Sequence, residues 1–112
     1  MDNKRNVLTP IDERITRLFK QRLNEIASVK RVVVFGSRAR GDASEESELD
    51  VFIELNELTP ELRRQISEIA WEIGFQEGYI ISTLAATTQS ITQGPLAASP
   101  IMKAIQLEGI VV

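Results

Sequence analysis

Apolar residues recur every three or four positions in three parts of the chain, which is typical of helices that pack one face on a core. In residues 9–28 they are Ile11, Ile15, Leu18, Phe19, Leu23 and Ile26. In residues 59–74 they are Leu62, Ile66, Ile69, Ala70 and Ile73, and in residues 99–109 they are Ile101, Ala104 and Ile105. Each part begins with Thr-Pro or Ser-Pro, which is a hydroxyl cap followed by proline at the first helical position. The pattern therefore predicts three helices, the first ending near Ser28, the second near Gly74 and the third capped by Gly109.

Strands are predicted where apolar residues run together or alternate with polar ones. Residues 32–35 are Val-Val-Val-Phe and stop at Gly36, which is typical of a buried strand. Residues 47–53 alternate, and they predict a second strand. The remaining segments are a third strand buried on both faces at 79–86, a loop at 87–98 and a short strand or apolar tail at 110–112. This order predicts an α/β (α+β) fold, in which a small mixed β-sheet is backed by helices.

The composition restricts the possible catalytic groups more than it restricts the fold. The 112 residues, of which 43% are hydrophobic, are expected to form one domain over residues 1–112, with residues 1–8 frayed. The chain has neither cysteine nor histidine, so disulfides, thiolate catalysis and imidazole bases are excluded, and acid–base work falls to carboxylates and lysine. Because no segment approaches the ~20 apolar residues of a membrane span, we expect a cytoplasmic protein without membrane contact.

Charge is distributed unevenly along the chain. Residues 1–40 hold ten Lys/Arg and four Asp/Glu, whereas residues 41–112 hold three and twelve. The acidic majority makes a nucleic-acid partner unlikely and suits a site that collects cations. The basic positions of the first helix are expected to be a solvated face, paired with nearby acids, rather than a contact for phosphate or RNA. They are Arg14, Arg17, Lys20 and Arg22.

The candidate site combines a turn with two acids. Gly36-Ser37 follows the first strand, and glycine allows a phosphate to approach the backbone closely. Glu48 and Asp50 lie two positions apart on the next strand, so both side chains project from the same face, with Cα atoms roughly 6.6 Å apart. An aspartate within an apolar strand is costly to bury without a partner, and a divalent cation would provide one. The pattern predicts a metal–phosphate site in which both acids face the Gly36 turn.

The same residues resemble a known family. Gly36-Ser37, Gly41 and the Ser-acid-Leu-Asp-Val run at 47–51 are similar to the signature of the DNA polymerase β-like nucleotidyltransferases, in particular the minimal nucleotidyltransferases. Glu108-Gly109 and its apolar tail also fit. The resemblance implies a nucleotidyltransferase fold in which Gly36 and Ser37 hold a nucleoside triphosphate, ATP, and Glu48 and Asp50 hold Mg²⁺ or Mn²⁺. Arg38 and Arg40 are placed where they would neutralise the triphosphate.

Two positions depart from the family pattern. Glu48 stands where aspartate is usual, which moves the carboxylate oxygens by one methylene, and it either binds metal with altered geometry or merely begins the strand. The third acid of the family belongs on the strand at 79–84, but no Asp or Glu occurs between Glu77 and Glu108. Ser82 or a neighbouring residue is predicted to stand in its place, and a hydroxyl does not replace a carboxylate that accepts a proton.

Two functions follow, and they remain open at this point. In one, the chain is an enzyme that transfers a nucleotidyl group to an acceptor hydroxyl, which the resemblance places on a partner protein of the HEPN (helical, RNase-like) type in a toxin–antitoxin pair. In the other, the missing acid has cost activity, and the chain binds nucleotide or a partner protein. Trp71 is predicted to lie in the core or at an interface. A homo-oligomer is compatible with both functions.

Overall fold

A four-stranded mixed sheet with strand order β3-β2-β1-β4 forms the centre of the computed structural model, which describes residues 8–112. Its strands are β1 (Val29–Phe35), β2 (Leu49–Leu55), β3 (Ile81–Thr87) and β4 (Ile110–Val111). β1 pairs antiparallel with β2 and β4, whereas β2 and β3 are parallel. The predicted α/β class and mixed sheet are confirmed.

The helices are α1 (Pro10–Asn24), α2 (Ser37–Arg40), α3 (Pro60–Glu77), α4 (Thr88–Thr92) and α5 (Pro100–Glu108), with a 3-10 turn at Pro95–Ala98. The three predicted helix starts are confirmed. The hydroxyls of Thr9, Thr59 and Ser99 each accept a hydrogen bond from the backbone N–H three residues later, at 3.1, 3.0 and 3.3 Å. Within residues 8–112, no helix is long and apolar enough to cross a membrane.

The two faces of the sheet are covered differently. α1 and α3 pack on one face, where Ile15 and Phe19 of α1 and Ile66 and Ile73 of α3 are buried against the odd-numbered positions of β2. On the other face, Met102 and Ile105 of α5 form a smaller cluster with Val33, Phe52 and Ala86. Asp50 and Glu54 lie on this second face, on either side of Phe52, because side chains alternate along a strand.

Several predicted boundaries were wrong. α1 ends at Asn24 rather than Ser28, and α3 continues past Gly74 to Glu77, after which Gly78 ends it with a φ of 75°. Gly74 is buried, and a Cβ there would lie 2.5 Å from the carbonyl oxygen of Tyr79. The glycine therefore serves close packing between the helix and the following chain instead of helix termination.

The segment after α3 also differs from the prediction. The strand begins at Ile81 and lies at the edge of the sheet. Ala85 is buried in the cluster on one face and Ala86 in the cluster on the other, so burial on both faces is confirmed for the end of the strand, whereas Ser82 near its start is exposed. The predicted loop at 87–98 contains α4 and the 3-10 turn, and the hydroxyl of Thr87 caps α4 by accepting from the N–H of Ser90. Most of the segment predicted to be frayed lies outside the described residues, but Leu8 is buried.

The arginines of α1 form ion pairs, as predicted, but two of the three acids lie on α3 instead of nearby in the chain. Arg14 and Arg22 form ion pairs with Glu77 and Glu72 of α3 at 2.8 and 2.7 Å, and Arg17 pairs with Glu13 one turn away. The solvated interpretation is therefore favoured over a phosphate or RNA contact.

Asp12 does not belong to that face. It is 2% exposed, accepts a 2.6 Å hydrogen bond from the hydroxyl of Tyr79 and forms a 3.0 Å ion pair with Arg38. Arg38 also lies over the ring of Tyr79 and donates to the carbonyl oxygen of Ser47. These contacts join α1, α2 and the segment before β3, and they anchor the turn that follows β1.

Replacing Tyr79 with Phe should lower the free energy of unfolding by about 1.5–3 kcal/mol, because a buried carboxylate loses a hydrogen-bond donor. The phenyl ring keeps the packing beneath Arg38. Urea unfolding of the variant beside Thr92→Val, a hydroxyl deletion on exposed α4, measures the difference. Equal midpoints for Tyr79→Phe and the native chain would contradict the anchoring role of Asp12.

Candidate functional site

Asp50 lies directly against the Gly36 turn. The antiparallel register pairs Phe35 with Asp50 in the ladder between β1 and β2, which brings the carboxylate beside the next residue, Gly36. A Cβ built on Gly36 would lie only 2.3 Å from Oδ2 of Asp50, and the φ of 78° is a left-handed value that favours glycine. Only glycine lets the carboxylate and the turn approach this closely. The predicted proximity of Asp50 to the turn is therefore present in the structure.

Ser37 supplies the polar groups of the turn. The backbone N–H groups of Ala39 and Arg40 donate to the carbonyl oxygen of Gly36 at 3.1 and 3.0 Å, which closes the short helix α2. Within residues 8–112, neither the N–H nor the hydroxyl of Ser37 donates to a protein acceptor. Two donors are thus available beside the Asp50 carboxylate.

Glu48 directly precedes β2 and is exposed, so the strand starts two residues later than predicted. Its charge nevertheless acts on Asp50. Burial raises the pKa of Asp50, the negative charge of Glu48 raises it further, and the positive charge of Arg40 opposes both. The two carboxylates therefore repel each other at a partly dehydrated position, which a bound cation would relieve.

Ser82 stands beside Asp50 in the parallel ladder between β2 and β3, as the sequence predicted. The described residues contain no group of three or more His, Cys, Asp or Glu side chains that could hold a metal ion. At the position expected for a third acid, the chain has the exposed hydroxyl of Ser82.

Glu54 does not substitute for the third acid. It is buried at the far end of β2, where it accepts 2.6 Å hydrogen bonds from Arg31 and Thr88. Burial acts to raise the pKa of Glu54, but these hydrogen bonds and the charge of Arg31 outweigh it and lower the pKa. Glu54 therefore ties α4 to the sheet.

The two arginines predicted to contact nucleotide have different surroundings. Arg38 is 10% exposed, and its guanidinium contacts Asp12, Tyr79 and the carbonyl oxygen of Ser47, which gives it a structural role. A contact between Arg38 and nucleotide stays a prediction. Arg40 is about half exposed, pairs with Asp42 at 3.2 Å and Glu108 at 3.0 Å, and lowers the pKa of Asp50. Only Arg40 is directed toward the Asp50 side of the turn.

Sequence reasoning assigned no role to Glu108. Its Oε2 accepts from the backbone N–H of Gly36 at 3.0 Å and from Nη1 of Arg40 at 3.0 Å. The only signal was the fit of Glu108-Gly109 to the family pattern, because a contact between residues this far apart in the chain leaves no local periodicity.

The fold and the turn–carboxylate arrangement define the class of protein as a nucleotidyltransferase-type domain. The model of the nucleotidyltransferase domain family matches residues 16–107. The chain therefore belongs to the nucleotidyltransferase domain family.

Two relatives come from Methanocaldococcus jannaschii. The chain is 39% identical over 61 residues to the protein named "Putative protein adenylyltransferase MJ1215", covering 54% of this chain and 69% of that protein. It is 37% identical over 73 residues to "Putative protein adenylyltransferase MJ0141", covering 62% of this chain and 74% of that protein.

Solved structures agree on the fold. A crystal structure of a toxin–antitoxin with AMP-PNP superposes with a TM-score of 0.61 at 14% identity, covering 89% of this chain and 70% of that chain. A mutant of the toxin–antitoxin MntA–HpeT, in which two aspartates two positions apart are replaced by glutamate, gives a TM-score of 0.57 at 17% identity with the same coverage.

Proposed function

We propose that this chain transfers AMP from a complex of ATP with Mg²⁺ or Mn²⁺ to a hydroxyl of a protein acceptor. The observation that supports this most directly is the Asp50 carboxylate packed against Gly36, next to the N–H and hydroxyl of Ser37, which have no protein acceptor within residues 8–112. A triphosphate on the turn would lie beside the carboxylate that binds its metal ion, which is the arrangement nucleotidyl transfer requires.

The donor set fits a hard divalent cation. Mg²⁺ takes oxygen ligands, commonly one or two carboxylates together with substrate phosphates, and Glu48 and Asp50 are two carboxylates whose repulsion Arg40 offsets only in part. Asp50 is the principal ligand in this proposal, and the exposed Glu48 is the second. When bound, the metal supplies positive charge to the phosphates as the bond to pyrophosphate breaks.

The protein groups hold and orient the substrate. Ser37 donates its N–H and hydroxyl to the phosphates, and the absent Cβ of Gly36 leaves room for them. Arg40 places a cation at the same edge. With no carboxylate at position 82 to accept it, the proton of the acceptor hydroxyl passes to solvent, so transfer is slow relative to an enzyme that has this base.

The acceptor is a protein in this proposal, since the relatives are named as protein adenylyltransferases and the structural neighbours come from toxin–antitoxin pairs. A HEPN-type partner is the specific candidate. A candidate surface for such a partner lies near the β3 edge of the sheet: Trp71 and Phe75 of α3 stack with ring centroids 5.3 Å apart and are 68% and 76% exposed, and Ile80 next to them is 65% exposed. We call these three residues the aromatic patch.

The aromatic patch and the site are linked through the backbone. The N–H of Leu49, which precedes Asp50, donates to the carbonyl oxygen of Ile80 at 2.9 Å. The aromatic patch lies on the α3 face of the sheet and Asp50 on the opposite face. Because β3 is an edge strand, an acceptor protein bound to the aromatic patch would reach Asp50 around the edge that β3 forms.

The second candidate function is a nucleotide- or partner-binding subunit without turnover. The hydroxyl of Ser82 opposite Asp50 and the aromatic patch favour it. The two candidates share nucleotide binding and differ in whether AMP is transferred.

Nucleotide binding tests what both candidates share. We expect calorimetric titration with ATP to give binding that strengthens when Mg²⁺ is present. Glu48→Gln should weaken the Mg²⁺-dependent part, whereas Glu46→Gln, which removes a charge from the exposed loop, should not. Absence of heat and of any thermal shift with every nucleotide tested would overturn the enzyme and the nucleotide-binding subunit, and it would leave only a partner-binding subunit.

The aromatic patch gives a separate prediction. Trp71→Ser together with Phe75→Ser should weaken binding of the co-expressed acceptor by about tenfold or more, because exposed aromatic residues are typical anchors of interfaces. ATP affinity should be unchanged. Pull-down with a tagged acceptor, beside the exposed-site control Leu107→Ser, measures the effect. Full retention of the acceptor by the double variant would show that the patch is not the docking surface.

A further inference from the structure

One oxygen atom connects the C-terminal helix to the turn. Oε2 of Glu108 accepts both from the N–H of Gly36 and from Arg40, each at 3.0 Å, and the side chain is 20% exposed. The position of this carboxylate is set by close packing: a Cβ on the next residue, Gly109, would lie 2.5 Å from Cγ1 of Val33 on β1. The end of α5 is thus pressed against the strand that leads into the turn.

This contact uses one hydrogen-bond donor of the turn and leaves the others available to a ligand. The N–H of Gly36 is used by Glu108, whereas within the described chain the N–H and hydroxyl of Ser37 have no protein acceptor. Arg40 is held on one side by Asp42 and on the other by Glu108, and from there its charge acts on Asp50. Release of Glu108 would free both the Gly36 peptide and one side of the guanidinium.

We propose that Glu108 is a positioning residue of the nucleotide site. It holds the Gly36 peptide so that the donors of Ser37 face the phosphates, and it holds Arg40 beside Asp50. It touches neither phosphate nor metal. This inference rests on the proposed function, since it describes how the same site is ordered.

Two variants separate the two bonds of Glu108. Glu108→Gln keeps an oxygen that accepts from Gly36 but loses the charge that attracts Arg40, whereas Glu108→Ala loses both. We expect the Kd for ATP with Mg²⁺ to rise roughly threefold in Glu108→Gln and roughly tenfold in Glu108→Ala, as charged hydrogen bonds contribute more than neutral ones. Glu25→Gln, an exposed charge removal at the end of α1, should leave the Kd unchanged.

A double-mutant cycle with Arg40→Met distinguishes positioning from a general structural role. If Glu108 acts through Arg40, Glu108→Gln should have little further effect on the Kd in the Arg40→Met background. A loss of the same size in both backgrounds would overturn action through Arg40. Should Glu108→Ala fail to fold, as judged by its thermal unfolding, the Glu108→Gln cycle carries the test alone.

Other outcomes are equally decisive. Tighter ATP binding in Glu108→Ala would overturn the proposal, because it would mean that the carboxylate competes with phosphate for the turn. Unchanged binding in both variants would overturn it too, while leaving the proposed function intact. If the native chain itself binds no nucleotide, the proposed function fails, and the positioning role fails with it.

Discussion

Asp50→Asn is expected to lower AMP transfer by about 10²- to 10³-fold or more, the scale on which loss of one preorganised charge-stabilising group acts. The asparagine side chain has nearly the same shape, so it keeps the packing against Gly36 and removes only the negative charge. Labelled-nucleotide incorporation into the acceptor protein measures transfer, and calorimetric titration measures the metal-dependent part of ATP binding. Both should fall together.

The same variant should not be destabilised. Since the folded chain raises the pKa of Asp50, the fold favours the protonated form over the charged one. The stability contribution is therefore complete below the unfolded pKa and is lost as pH rises through the folded pKa. At neutral pH the charged carboxylate opposes folding, and Asp50→Asn relieves this cost. The thermal midpoint of the nucleotide-free variant should equal or exceed that of the native chain at pH 7, and the difference should shrink at acid pH.

Glu46→Gln is the control for both measurements, because it removes an acid from the exposed loop before β2. A large drop in the thermal midpoint of Asp50→Asn would mean that Asp50 is a structural acid. Fast transfer that survives the substitution would mean that the chemistry lies elsewhere on the chain.

The centre of the site was predictable because its signals are local. Asp50 lies within an apolar run, and strand alternation then assigns its face without further information. Gly36 interrupts the preceding strand, so the turn was also visible. The antiparallel register that brings Asp50 to Gly36 follows from pairing two neighbouring strands, which is the simplest connection available.

The surroundings of the site depend on contacts between distant parts of the chain. Arg38 and Arg40 are chemically equivalent in the sequence, but only the structure shows that Asp12 and Tyr79 engage the first and Glu108 the second. Their separation follows from the helical turn of α2, which directs residues two apart to opposite sides. The sequence alone does not show which of the two arginines lies on the Asp50 side of the turn.

The roles of Gly74 and Gly78 also depend on contacts that the sequence pattern does not show. Gly74 was predicted to end α3, yet it is buried against the carbonyl oxygen of Tyr79, and Gly78 ends the helix instead. Both glycines are compatible with the local pattern. Their roles differ because Gly74 packs against the chain that leads into β3.

Ser82→Asp is expected to raise the transfer rate, and the ladder position of Ser82 is the reason. Ser82 pairs with Asp50 in register on the parallel strand β3, so an aspartate there would share its sheet face, with strands about 4.8 Å apart. It would supply the carboxylate that the site lacks. General-base assistance is typically worth about 10²- to 10⁴-fold, which sets the upper range of the gain.

The added charge of Ser82→Asp should also change the thermal stability, which is a second effect besides the change in transfer rate. A third carboxylate beside Asp50 and Glu48 increases their repulsion, so the thermal midpoint of Ser82→Asp should fall without metal and recover by more than the native chain when Mg²⁺ or Mn²⁺ is added. Ser82→Asn is the matched control, with a side chain of similar size but no charge, and it should change neither the rate nor the metal-dependent stabilisation. In the Asp50→Asn background the gain should disappear, because the new acid then has no metal-bound substrate to act on. If Ser82→Asp binds metal more tightly but transfers no faster, proton abstraction does not limit the native rate, and the missing acid does not explain slow transfer.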